Sequence, residues 1–128
     1  MFINNLFFKI REIIATSPAK RDWLIYLSLI LVGLVNLAGW LIILAYFWQV
    51  NDFIVLQYNI YFGISSLGPW PILFFLPASG LIIIMINFAL SFWLYLKERL
   101  LSYFLAIAAL LFQLTILVGV ILIVYMNL

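Results

Sequence analysis

Neither cysteine nor histidine occurs anywhere in the chain. Their absence excludes disulfides, thiolate nucleophiles, imidazole metal ligands and the commonest general base. Charge is nearly as scarce. Only 8% of the 128 residues are Asp, Glu, Lys or Arg, whereas a water-facing globule carries about 25%. The net charge of +2 provides no basic face broad enough for nucleic acid. What fills the sequence instead is apolar: 70% hydrophobic residues, 19% aromatic ones and a mean hydropathy of +1.33. Most of the surface must therefore be solvated by lipid, and the bilayer is the first partner the composition implies.

Three apolar runs contain no charge: residues 24–48, 72–96 and 100–126. A hydrocarbon layer of roughly 30 Å needs only ~20 helical residues, so each run predicts a transmembrane helix. The first holds fifteen Leu, Ile, Val or Phe, worth on the order of −5 to −9 kcal/mol for insertion as an upper bound. It is too long for a signal-peptide core, and "ILAYFWQV" offers no small-residue cleavage site. The expected fold is an all-α membrane protein, one integral domain over 1–128. It has three transmembrane helices, an interfacial amphipathic helix before them, and a loop at 49–71 with room for a short β-hairpin.

The basic residues are partitioned completely. Lys9, Arg11, Lys20 and Arg21 precede the first span, and Lys97 and Arg99 join the second to the third. The 49–71 connection has only Asp52, and the third span is followed by Asn127 and Leu128. Basic residues resist translocation, so the N-terminus and the "KER" turn are expected in the cytoplasm of a bacterial cell. The long loop and the C-terminus are then expected outside the inner membrane. "TSPAKRDW" offers Ser17 as an N-cap followed by Pro18. Pro77 marks either the start of the second span or a kink one turn inside it. "YLKERLLSY" contains no turn residue. A tight turn at 97–99 is nonetheless required, because three charges buried in lipid would cost several kcal/mol.

Residues 2–15 follow a helical period, with Ile3, Leu6, Phe7, Ile10, Ile13 and Ile14 on one face. That pattern predicts a helix lying in the interface, as an anchor or as a docking element. Each span also carries one amide, Asn36, Asn87 or Gln113, on a stripe of small residues. The stripes are Gly33 and Gly39 beside Asn36, Gly80 and Ser91 with Asn87, and Ser102, Ala106 and Ala109 with Gln113. Small residues let helices approach, and a lone amide in hydrocarbon is costly. These three are expected to bond to one another across the helices; a substrate path through them would require a homo-oligomer.

The loop stretch "VLQYNIYFGISSLGPW" has neither charge nor a helical period. Apolar residues alternate with polar ones from Ile54 to Phe62, the pattern of a strand. Gly63, Ser65, Ser66, Gly68, Pro69 and Pro71 then predict turns. Here the sequence resembles an uncharacterised bacterial membrane domain. That domain occurs in immunity proteins that protect cells from their own secreted toxic peptide. The matching residues are Tyr58, Asn59, Gly63, Gly68, Trp70 and the pair Leu76-Pro77. The family's His is Gln57 here, its Asp is Ser65 or Ser66, and Phe62 is an added residue. The resemblance implies recognition of a toxic peptide or envelope component, without a titrating loop residue. Candidate recognition residues are thus Gln57, Tyr58, Asn59, Gly63, Gly68 and Trp70.

An enzyme is not expected, nor any cofactor or metal. The four acids Glu12, Asp22, Asp52 and Glu98 are dispersed along the chain and form no paired-carboxylate site. Two further readings stay open: a subunit of an oligomeric transporter or channel, and an accessory subunit docked on a larger membrane protein.

Overall fold

The computed structural model describes residues 2–16 and 18–128. In chain order it contains α1 (Phe2–Thr16), α2 (Trp23–Phe47), β1 (Ile54–Asn59), β2 (Gly63–Gly68), α3 (Phe75–Leu94) and α4 (Arg99–Met126). Short 3₁₀ turns at Pro18–Arg21 and Trp70–Phe74 lead into α2 and α3. Among the described residues three segments, Trp23–Phe47, Trp70–Leu94 and Arg99–Met126, are long and apolar enough to cross a membrane. The chain is a multi-pass membrane protein, with helical spans and an antiparallel hairpin before the second of them. Within each span the outward side chains remain exposed, as a lipid-solvated surface requires.

The chain divides into two units, Met1–Val32 with Ile82–Leu111, and Gly33–Leu81 with Phe112–Leu128. The core of the first holds Ile25, Val32, Ile84, Phe88, Tyr95, Ala106 and Ala109. The core of the second holds Ile43, Phe47, Ile54, Leu73, Val120 and Val124. Lipid tails are as apolar as these side chains, so burial alone does not drive such helices together. Close packing and hydrogen bonds must do so.

In the first unit, the small stripe of α4 does what its spacing predicts: Ser102, Ala106 and Ala109 are all buried. Ser102 Oγ donates to the Ser91 carbonyl at 2.7 Å, and the two hydroxyl oxygens lie 2.6 Å apart. Neither side chain exceeds a few atoms, which is why α3 and α4 approach closely here. The expected amphipathic helix forms as α1, and Leu6, Ile10, Ile13 and Ile14 face Ala89, Leu90 and Trp93 of α3.

Ser17 lies outside the described residues. The cap of α2 is Asp22, whose Oδ1 accepts the Leu24 N–H at 3.0 Å, as an N-cap carboxylate does. The reversal expected at 97–99 begins earlier, since α3 ends at Leu94 and α4 starts at Arg99. Its main chain closes by Lys97 and Glu98 N–H bonds to the Leu94 carbonyl, at 2.9 and 2.7 Å. No non-glycine residue among those described has a positive φ, so ordinary backbone suffices without glycine. Pro77 is the third residue of α3, inside the first turn, where a missing N–H goes unused. Finally, Gly33 meets nothing within 4 Å, whereas Gly39 packs on Pro77.

Candidate functional site

The second unit contains the hairpin that the loop sequence only partly foretells. The strand expected over 54–62 ends at Asn59, and the expected turns at 63–68 are instead its partner strand. Pairing runs from Ile54 opposite Gly68 to Asn59 opposite Gly63, with register shifts around Leu56 and between Gln57 and Tyr58. Such bulges break the period-two alternation. Ile54 is therefore buried and Leu56 half-buried, while Tyr58 is exposed.

The reversal is made by two of the motif residues. Asn59 Oδ1 accepts the Tyr61 N–H at 2.8 Å, an Asx turn. Gly63 takes φ = +77°, the left-handed conformation that favours glycine and closes three-residue hairpin loops. Between them Ile60, Tyr61 and Phe62 are 88, 88 and 86% exposed.

The other motif residues also build rather than touch. A Cβ on Gly68 would lie 2.7 Å from Leu56 Cδ1, so this glycine lets the strand ends close on Leu56. Trp70 packs edge-on against Phe74 at 5.5 Å, and Phe74 stacks on Trp40 at 5.1 Å. Trp48 tilts onto Trp70 at 6.5 Å. Of the predicted recognition residues, Asn59, Gly63, Gly68 and Trp70 form the frame, while Gln57 and Tyr58 stand exposed on β1. The apolar tip went unrecognised, although Phe62 carried a signal as an extra residue in the turn.

Asn127 fastens this frame. Its Oδ1 accepts the Val55 N–H at 2.8 Å and its Nδ2 donates to the Val55 carbonyl at 2.9 Å. Its Nδ2 also donates to the Ile123 carbonyl at 2.7 Å, so the side chain is held by its own helix while it pairs with β1. An open cleft of about 590 Å3 separates Tyr58 and Asn59 from Gly119, Leu122 and Tyr125 of α4.

Two of the three amides meet. Asn36 Nδ2 donates to Gln113 Oε1 at 3.0 Å and to the Pro77 carbonyl at 2.9 Å. Gln113 Nε2 donates to the Gly80 carbonyl at 2.8 Å, and Trp40 Nε1 donates to Asn36 Oδ1 at 3.0 Å. A carbonyl oxygen has two lone pairs, so α3 accepts these bonds in addition to its own ladder. Asn87 does not join them; its Nδ2 reaches the Leu105 carbonyl in the first unit at 3.5 Å. No buried side-chain polar atom among the described residues lacks a partner. The network is a scaffold whose donors and acceptors are committed to one another.

A polar cluster also occurs in the first unit. Asp22 Oδ2 accepts the hydroxyls of Tyr95 and Tyr103, each at 2.5 Å. Burial pushes the Asp22 carboxyl up, but bonds from both tyrosines and from the Leu24 and Ile25 amides outweigh it. They hold the group below the usual carboxylate range. The Asp22 hydrogen bond, with burial, pushes the Tyr95 phenol up to about 12. Comparison of the chain with protein families, with characterised proteins and with solved structures finds no match.

Proposed function

We propose that this chain is a non-enzymatic protein of the bacterial inner membrane that recognises a peptide or envelope component at the outer face. The observation that carries the reading is the hairpin tip, where three successive large apolar side chains stand almost fully exposed on a fixed frame. An exposed apolar patch on a well-built support marks an interaction surface more often than a surface without function. Aromatic side chains supply large contact area at small entropic cost. The partition of Lys and Arg supports a cytoplasmic N-terminus, with the hairpin and C-terminus outside. Resemblance to the immunity-type domain supports a membrane-active peptide as the ligand class, whose apolar face would meet Tyr61 and Phe62. The transporter reading draws on Asn36 and Gln113, whose polar atoms are already paired, so the hairpin is the stronger basis.

The test is a photoreactive amino acid placed at Tyr61 or Phe62 in bacteria that express the chain, with exposed Leu34 of α2 as the lipid-facing control. The reading expects a discrete peptide or protein adduct from the tip and none from Leu34. Lipid adducts alone at both places would overturn it.

A further inference from the structure

The first unit carries an open cleft of about 730 Å3, lined by Arg21, Asp22, Trp23, Tyr95, Lys97 and Arg99 among others. Two of its cations rest on aromatic rings. Lys97 Nζ lies 4.3 Å from the centre of the Trp93 ring, and the Arg99 guanidinium lies 5.1 Å from that of Tyr95. A ring face orients a cation without neutralising it, so the N–H donors stay available to an oxygen ligand. The one carboxylate in the cleft is already engaged, since Asp22 accepts two phenol hydroxyls and the Leu24 N–H. Glu98 is exposed and does not line the cleft. Among the described residues no ion pair is present at Arg21, Lys97 or Arg99. Three cations thus face one occupied acid.

A second, apolar groove begins at the next residues of both helices. Leu24 and Leu100, adjacent in sequence to Trp23 and Arg99, open a groove of about 280 Å3 that continues to Phe104 and Ile107. Its two hydroxyl groups are turned away: Ser28 Oγ donates to the Leu24 carbonyl at 2.7 Å, and the Tyr103 hydroxyl donates to Asp22. The groove therefore offers hydrocarbon alone. From Leu100 to Ile107 it follows about 10 Å of helix, a depth that takes the upper part of an acyl chain.

We propose that cleft and groove together bind an anionic glycerophospholipid, with its phosphate between Arg21, Lys97 and Arg99 and one acyl chain along Leu24, Leu100, Phe104 and Ile107. Tyr103 joins the two, since it lines the groove and donates its hydroxyl to Asp22 of the cleft, so charge and grease adjoin in the order in which a lipid presents them. A soluble phosphate would use the cations but leave the groove without a role. A zwitterionic lipid would bring its own ammonium against three cations. Basic pockets among membrane-spanning helices select anionic headgroups on the same grounds. This inference does not depend on what the hairpin recognises.

The test uses the full chain in detergent, with native mass spectrometry and thermal unfolding as readouts. The probes are dioleoylphosphatidylglycerol, dioleoylphosphatidylcholine and inorganic phosphate. Phosphatidylglycerol should be retained and raise the unfolding temperature, and the other two should do neither. Arg21→Gln and Lys97→Gln should each lower phosphatidylglycerol retention about fivefold, the factor one interfacial cation is worth. Arg21 is exposed, so its variant should keep the fold by circular dichroism. Ile107→Trp, which fills the groove, should also release the lipid. Equal retention of phosphatidylcholine would overturn the proposal. So would inorganic phosphate matching the lipid's stabilisation, which would mark a soluble-anion site, or retention unchanged in both glutamine variants.

Discussion

The side-chain amide of Asn127 pairs with the main chain of Val55 as a neighbouring strand would, donating to its carbonyl and accepting from its N–H across 72 residues of sequence. A two-stranded hairpin is marginal in isolation, so this clip and the Ile54 contact with the second unit's core fix the frame that presents the tip. Asn127→Ala should free the hairpin at a local cost of ~1–3 kcal/mol. Hydrogen exchange checks it: the Val55 amide should lose protection while the α2 and α4 interiors keep theirs. Unchanged exchange at Val55 would show that the clip contributes nothing.

Gly63 and Gly68 should respond differently to alanine. At Gly63 there is open space around an added Cβ but φ is +77°, so Gly63→Ala should cost about 1–2 kcal/mol from backbone strain alone. Asn at that position should be tolerated better. At Gly68 the conflict is with the end of the half-buried Leu56 side chain, which has room to turn, so Gly68→Ala should be the milder change. Hairpin exchange rates in the three variants rank them.

Gly80 holds the amide network open. A Cβ there would lie 2.7 to 2.9 Å from the Gln113 amide and Asn36 Nδ2, and these atoms are pinned by hydrogen bonds to α3. Gly80→Ala should therefore lower stability by ~1–3 kcal/mol through forced repacking. Gly33→Ala, with nothing within 4 Å, should be close to neutral. Gln113→Leu removes two interhelical hydrogen bonds and should cost about 1–3 kcal/mol, from about 0.6–1.7 kcal/mol for each such bond in a membrane. Thermal unfolding in detergent gives the order, and a Gly33 variant as damaged as Gly80 would contradict it.

The Asp22 cluster predicts loss of stability at both extremes of pH. The folded Asp22 carboxyl lies below its unfolded value. Its contribution is thus complete above about pH 4 and disappears as pH falls through the lower, folded value. Tyr95 is shifted the other way, to about 12. Its contribution is complete below about pH 10 and is lost as pH rises through about 12. In Asp22→Asn the Tyr95 phenol should titrate nearer its ordinary value, read by tyrosinate absorbance. An unaltered titration would mean that the carboxylate is not its partner.

The spans were legible because a run of twenty or more uncharged apolar residues has few soluble uses. The common depth of Asn36 and Gln113 could likewise be counted from the helix ends, and the structure joins them. Asn87 was expected to join them, but its amide reaches the Leu105 carbonyl of α4 instead. The cap at Asp22 was written plainly in "RDWL" but lay in the shadow of Ser17-Pro18. The reversal near Glu98 had no glycine, proline or asparagine to mark it, because its main chain closes on the Leu94 carbonyl with ordinary backbone angles. Asn127 was legible only as a tail residue, since its partner on β1 is set by how the hairpin folds back. Period two placed the start of β1 but overran its end at Asn59 and could not foresee the irregular register around Leu56.

The proposed recognition requires the hairpin outside the cell and the turn that contains Glu98 in the cytoplasm. The natural chain has no cysteine, so Ser65→Cys and Glu98→Cys each create a unique label site. In intact cells a membrane-impermeant maleimide should modify the first and reach the second only after permeabilisation. Labelling of Glu98→Cys in intact cells, with Ser65→Cys protected until permeabilisation, would invert the orientation and remove the hairpin from the face where its ligand is proposed to be.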